Sequence, residues 1–340
     1  MSGATEPNPA IVFGAIQGYM QTAAIQAAIR LDLFTAIGEG ATDEAALAAR
    51  TGAAPRGIRA LCDWLTVRGL LTKDGSGAYG LSPTAAAFLD RRSPGYMGSI
   101  EEFLAAPELV GSVLEDPAGV VRRGGAPGLG SIAPDNPVWV KFARAMTPFA
   151  APVAAATLAW FERHSGRAAP RRVLDVAAGH GLFGLAFAQR YPECEVTALD
   201  WAAVLEVAKE NAARAGVSGR FRTIAGSAFE ADLGGPYDVV LMPNFLHHFD
   251  EAGCVALLRR AHAALVLQGG LLLAPEFVPE EDRVSPPMPA MFAFVMLLST
   301  PAGTAYTRGE YARILAAAGF ARAEFAPLPP SPQTLVVGVR

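Results

Sequence analysis

The 340 residues include only three cysteines, Cys62, Cys194 and Cys254, far apart and without CxxC spacing, which excludes a disulfide framework and a cysteine-built zinc site. Charged side chains make up just 18% of the chain, the formal net charge is -4 and no block of like charges occurs, so a phosphate-binding surface is not expected. Met1 to Ala10 lacks a basic stretch followed by an apolar core, and the longest purely apolar run, Ala290 to Leu298, is too short to span a bilayer. No repeat with a period of roughly 20 to 50 residues is visible. These absences lead us to expect a cytoplasmic protein that handles small molecules, with no nucleic acid, membrane or metal among its partners.

Apolar side chains, by contrast, reach 51%, enough for a large core in more than one domain. The Gly/Pro-rich stretch from Arg122 to Pro137 separates two differently patterned halves. Before it, the pattern predicts one helix over Tyr19 to Ile37, a second capped by Thr42 and ending near Gly52, and a third opened by Pro55 and stopped by Gly69. A hairpin follows, with Leu70 to Lys73 and Ala78 to Leu81 flanking Asp74-Gly75-Ser76-Gly77. This is a winged-helix pattern. Its third helix offers a nucleic acid only Arg56, Arg59 and Arg68 against Asp63, so a dimerisation module is favoured over a ligand-sensing DNA binder.

The second half alternates strand and helix, the mark of an α/β fold with a mostly parallel sheet covered on both faces. Strands are predicted over Arg172 to Val176, Glu195 to Asp200, Phe221 to Ala225, Tyr237 to Met242, Gly270 to Pro275, Arg322 to Ala326 and Thr334 to Val339. Helices are predicted over Leu182 to Arg190, Ala202 to Ala215, Glu251 to Leu267, and Arg308 to Ala318, the last capped by Thr307 and ended by Gly319. Only a proline-rich segment joins the last two strands, so they should form an antiparallel pair at the sheet edge.

The first strand runs into Ala177-Ala178-Gly179-His180-Gly181 and then a helix, a loop whose small residues let the backbone approach a nucleotide. Gly179 to Gly184 spells GxGxxG, so a nicotinamide or flavin cofactor is a rival reading. Two features favour S-adenosylmethionine: Asp175, four residues before Gly179, offers a carboxylate to a sulfonium and an amino group, and the sheet ends in an antiparallel pair. Asp200 closes the second strand, where a carboxylate suits two ribose hydroxyls. Trp201 is a candidate for the adenine face, and Ser227, Ala228 and Phe229 for the loop around its edge.

These residues resemble the class I S-adenosylmethionine-dependent methyltransferases, and more closely the dimeric small-molecule O-methyltransferases of the caffeate and acetylserotonin type. The resemblance covers nearly the whole chain. It implies a Rossmann-like seven-stranded methyltransferase sheet with an N-terminal helical, winged-helix-like dimerisation domain. Residues 1–100 would dimerise, 101–165 would form a helical linker lining the pocket, and 166–340 would bind the methyl donor and release S-adenosylhomocysteine. The family's loop maps onto Asp175, Ala177, Gly179 and Gly181, with Ala177 replacing a glycine, and Asn244 completes the donor set. The segment Phe245 to Cys254 follows the fourth strand where the family carries its catalytic histidine, and His247 takes that position. A histidine suits the task because imidazole titrates near neutral pH and the acceptor hydroxyl loses a proton as it attacks the methyl group. Glu276 matches a family glutamate that orients this ring.

Two departures accompany the match. His248 replaces an aspartate beside the base, and Ala305 stands where many plant members have a second glutamate. They keep open a donor-binding enzyme of this fold that performs a non-methylating reaction or acts on nitrogen, carbon or sulfur. Phe103, Met146, Phe149, Met291, Phe292, Met296 and Thr300 are the candidate lining of an apolar acceptor pocket.

Overall fold

A computed structural model of the protein describes residues 7–127, 137–164 and 166–340, and the chain divides into two compact units, Met1–Pro107 and Glu108–Arg340. Residues 128–136, most of the Gly/Pro-rich stretch, lie outside the described residues.

In the first unit, the region predicted as one helix over Tyr19 to Ile37 is two, Gly18–Arg30 and Leu33–Gly38. Asp32 breaks it by adopting φ 53°, a left-handed conformation that a short acid tolerates when its side chain bonds locally. Here the Asp32 carboxylate accepts from the Thr35 hydroxyl at 2.7 Å. The next helix, Glu44–Thr51, is capped by Asp43 rather than Thr42: the Asp43 carboxylate accepts from the Ala46 N–H at 2.8 Å, while the Thr42 carbonyl accepts from the Tyr79 N–H. Helix Pro55–Val67 leads into the hairpin of β1 (Leu71–Lys73) and β2 (Tyr79–Leu81). Phe34, Leu47, Ile58, Leu65 and Tyr79 pack together as the core of this unit.

The second unit carries β3 (Arg172–Val176), β4 (Glu195–Asp200), β5 (Phe221–Ala225), β6 (Val239–Leu241), β7 (Leu271–Glu276), β8 (Arg322–Pro327) and β9 (Thr334–Val339) in one sheet of order β5-β4-β3-β6-β7-β9-β8. Strands β3 to β7 pair in parallel, whereas β9 runs antiparallel between β7 and β8. β6 is shorter than predicted because Tyr237 leaves the ladder to bridge Leu265, and the same bridge ends helix Glu251–Ala264 three residues before Leu267. Alternate residues feed two cores. Leu174, Val240 and Leu272 face Tyr311 and Leu258 on one side, while Val173, Val239 and Leu271 face Phe161 and Phe187 on the other. The chain moves outward from β3 through β4 to β5 and then crosses to β6, which creates a switch point at the carboxyl ends of β3 and β6 where ligands of open α/β sheets bind. No described helix is long and apolar enough to cross a membrane.

Candidate active site

The loop after β3 alternates handedness: Ala177, Gly179 and Gly181 have φ of 52°, 57° and 74°. The two glycines serve different ends. A Cβ on Gly179 would find nothing nearer than the Ala177 carbonyl at 4.0 Å, so this glycine borders open space, while one on Gly181 would press on Ala208 at 3.0 Å and Phe221 at 3.4 Å. Gly184 allows still closer packing, since its Cβ would lie 2.6 Å from Val196 and 3.1 Å from Asp175. Ala177 takes the left-handed conformation with a side chain present, a strain of about 1–2 kcal/mol.

Asp175 is fully buried under the helix Leu182–Arg190, with Oδ2 accepting from the Gly184 N–H at 2.8 Å and Oδ1 unpartnered. Burial raises its carboxyl to about 8, and nearby Asp200 adds to the rise. Asp200 accepts from the N–H groups of Gly179 (2.8 Å) and Trp201 (2.7 Å), and burial raises it to about 6. Trp201 packs against the buried cluster of Ala143, Val204 and Val207, as Trp139 does. The Gly226 N–H donates to the Asp200 carbonyl at 3.0 Å, which brings the Ser227–Phe229 turn to the same strand end. There the Ser227 hydroxyl accepts from the Phe229 N–H at 3.2 Å, Ala228 is buried, and Phe229 meets Phe249 edge-on. His180 fills the helix start that Gly181 leaves uncapped: its Nδ1 accepts from the Leu182 N–H at 3.2 Å, and burial lowers the ring to about 4.

The second cluster lies after β6. Glu276, at the end of β7, serves three donors: Oε1 accepts from the N–H groups of Phe245 (3.1 Å) and Leu246 (2.9 Å), and Oε2 pairs with His247 Nδ1 at 2.5 Å. A carboxylate can only accept here, so Nδ1 carries a proton, and in the neutral ring Nε2 holds the lone pair. No described residue bonds that nitrogen, and the side chain is 4% exposed. Phe292 meets the His247 ring edge-on with centroids 4.8 Å apart, and Phe277 stacks on Phe292 at 4.1 Å.

Side chains distant in sequence hold this loop. Asn244 (φ 53°) donates its N–H to the Pro275 carbonyl and accepts from the Gln333 amide. The Tyr306 hydroxyl donates to the Phe249 carbonyl at 2.7 Å and the Cys254 thiol to the Leu246 carbonyl at 3.1 Å. Gly303 approaches so closely that a Cβ there would lie 2.3 Å from the His247 carbonyl oxygen. Sequence reasoning gave no role to Gln333 or Trp139, and it included Cys254, Gly303 and Tyr306 only within segments matched by resemblance, Phe245 to Cys254 and Phe294 to Thr307. Their individual contacts to the loop have no signature in spacing, and only their approach in space reveals them.

Among the candidate pocket residues, the structure places Phe292 against His247. Met296 is buried one helical turn further along, and Met291 on the same helix, Pro287–Ser299, is 63% exposed. Thr300 spends its hydroxyl on the Met296 carbonyl and the Gly303 N–H. Met146 and Phe149 are half-buried at and after the end of helix Val138–Ala145, and Phe103 belongs to the first unit on Glu101–Leu104. Ala305 is completely buried, leaving Glu276 as the acid paired with His247.

The family description "O-methyltransferase domain" matches residues 122–321, and "O-methyltransferase dimerisation domain" matches residues 13–91. Acetylserotonin O-methyltransferase of Mus musculus molossinus is 31% identical over 90% of this chain and 82% of its own. A solved structure of a Nostoc punctiforme protein, provisionally described as an O-methyltransferase, superposes with a TM-score of 0.92 at 44% identity over 98% of this chain and all of the other. The structure of PigF with SAH superposes with a TM-score of 0.83 at 25% identity, covering 98% of this chain and 100% of PigF. With a family match over more than half its length and a seven-stranded sheet ending in an antiparallel pair, the chain belongs to the O-methyltransferases that carry a dimerisation domain.

Proposed function

We propose that the protein transfers a methyl group from S-adenosylmethionine to the hydroxyl of a small aromatic acceptor, with His247 as general base. The observation that carries this reading is the buried Glu276–His247 pair at 2.5 Å, which leaves Nε2 as an oriented proton acceptor. The donor site fits the donor's chemistry: Gly179 borders open space, Asp200 caps the adjacent strand, and the buried Asp175 carboxyl, with Oδ1 unpartnered, would ionise beside a cationic ligand. S-adenosylmethionine supplies an electrophilic methyl group on a sulfonium and leaves as S-adenosylhomocysteine. His247 Nε2 takes the hydroxyl proton as the acceptor oxygen attacks, and Glu276 stabilises the imidazolium through Nδ1–H while fixing the ring by two backbone anchors on the same loop. Phe292 and Phe277 provide apolar aromatic surface next to the base.

We further propose that residues 1–100 dimerise, 101–165 line the pocket and 166–340 carry the chemistry. In support of dimerisation, helix Pro9–Ile16 is apolar and uncovered, with Ile11 73%, Phe13 63% and Ile16 69% exposed. Three free, buried thiols suit a reducing cytoplasm. Calorimetric titration with S-adenosylmethionine, S-adenosylhomocysteine and NAD tests the donor assignment: the first two should bind in the micromolar range and lose affinity in Asp200→Ala, and binding of NAD alone would overturn it. Sedimentation should give a dimer that Phe13→Asp weakens.

A further inference from the structure

His248, next to the base, has an imidazole that makes no hydrogen bond among the described residues. Rings surround it: His247 at 4.5 Å between centroids with planes 48° apart, Trp139 edge-on at 5.9 Å, Phe245 at 6.4 Å and Phe249 at 6.3 Å. Among the described residues neither ring nitrogen has a partner, yet neither is sealed from solvent, and the residue is only half-buried. A half-buried imidazole that no described residue bonds, standing beside a base, keeps its nitrogens available to a ligand. Burial and the neighbouring His247 hold this ring well below the ordinary imidazole range, so it is neutral and carries a single N–H.

Resting on the reading of His247 as base, we propose that His247 and His248 form a two-point clamp for an aromatic acceptor that carries a carbonyl oxygen on the position next to the methylated hydroxyl. Glu276 fixes a lone pair on His247 Nε2. An N–H from His248 beside it gives one acceptor and one donor side by side, the complement of a hydroxyl next to a carbonyl. Such acceptors hold the hydroxyl proton in an internal hydrogen bond to the carbonyl, which withdraws it from a base. His248 donates to the carbonyl oxygen and replaces that internal bond, so the hydroxyl turns to His247. The proton then passes to Nε2 as the oxygen–methyl bond forms and the methyl–sulfur bond breaks, with neutral S-adenosylhomocysteine leaving. Trp139 against His248 and Phe292 against His247 flank the two imidazoles with aromatic surface for a planar acceptor.

The test uses full-length protein with S-adenosylmethionine and three probes: ortho-hydroxyacetophenone, para-hydroxyacetophenone and catechol. Formation of S-adenosylhomocysteine is followed in the unaltered protein and in His248→Phe, His248→Gln and His247→Ala. The clamp predicts a preference of about tenfold or more in kcat/KM for the ortho ketone over both other probes, the scale of one well-made hydrogen bond. The ratio should collapse toward one in His248→Phe and be partly restored in His248→Gln, which keeps an N–H donor. Equal use of the ortho and para ketones, a preference for catechol, absence of turnover of the ortho ketone, or an ortho preference that survives in His248→Phe would each overturn it. Failure of the base reading looks different: undiminished kcat in His247→Ala would remove His247 as base, while loss of the ortho preference in His248→Phe would still support the donor half of the clamp.

Discussion

The proposed donor loop and the proposed catalytic loop sit at the carboxyl ends of neighbouring strands, yet they are built on opposite principles. The donor loop is made of backbone: small residues at positions 177, 179 and 181, left-handed turns, and carboxylates that bind N–H groups only a few residues or one strand away. The catalytic loop is made of side chains from elsewhere, with Glu276, Gln333, Tyr306 and Gly303 converging from other segments to hold residues 244–249. A site built of backbone tolerates change in the side chains around it. A site held by distant side chains loses its geometry when any one of them is altered.

The sharpest break should come at His247→Ala, which should lower kcat by roughly 10² to 10⁴ while S-adenosylmethionine affinity by calorimetry stays unchanged. Glu276→Leu should come next. It removes the ring's partner and leaves the Phe245 and Leu246 N–H groups without an acceptor at a cost of about 1–3 kcal/mol each, so both rate and melting temperature should fall. Glu276→Gln retains an acceptor for the backbone and should separate the two effects, with stability largely restored and rate still low. Gly303→Ala, never touching a ligand, should destabilise the fold by about 1–3 kcal/mol and lower kcat at constant donor affinity, because the His247 carbonyl must move. Unchanged kcat in that variant would show that the loop does not depend on this approach.

Smaller effects belong to the donor side. Asp175 and Asp200 are raised to about 8 and about 6 when folded, against roughly 4 unfolded. The folded, ligand-free protein thus holds more protons than the unfolded chain between these values. The stability these groups contribute is fully present below about pH 4 and is lost as pH rises through about 6 and 8. Melting curves across that range should show the decline, and the extra stabilisation by cationic S-adenosylmethionine over neutral S-adenosylhomocysteine should widen with rising pH. Smallest of all, Ala177→Gly should relieve left-handed strain and raise stability by no more than about 1 kcal/mol, with no loss of donor binding.

The same contrast explains what could be read in advance. β3, β4, β5 and β9 fall where the apolar runs predicted them, and the small-residue loop declared itself because backbone chemistry is written locally. Asp32 was hidden inside continuous helical periodicity, and Thr42 and Asp43 are both competent caps, so only the Tyr79 strand pairing with the Thr42 carbonyl decides between them. His247 and Glu276 were singled out through the family resemblance, and the structure pairs them at 2.5 Å. Gln333, 89 residues from Asn244, and Tyr306, 57 from Phe249, have no local signature, because contacts closed by the sheet's crossing order leave no trace in spacing.

Glu276 anchors the base from a central strand, whereas the helix that offers Phe292 is largely uncovered and apolar on several sides, with few of its residues packed into a core. Such a division of labour makes the enzyme evolvable in one direction. On the proposed reading, substitutions along Pro287–Ser299 would reshape which acceptor is welcomed without reaching the carboxylate that keeps the histidine in register, so new substrates would be acquired while the proton transfer is inherited intact.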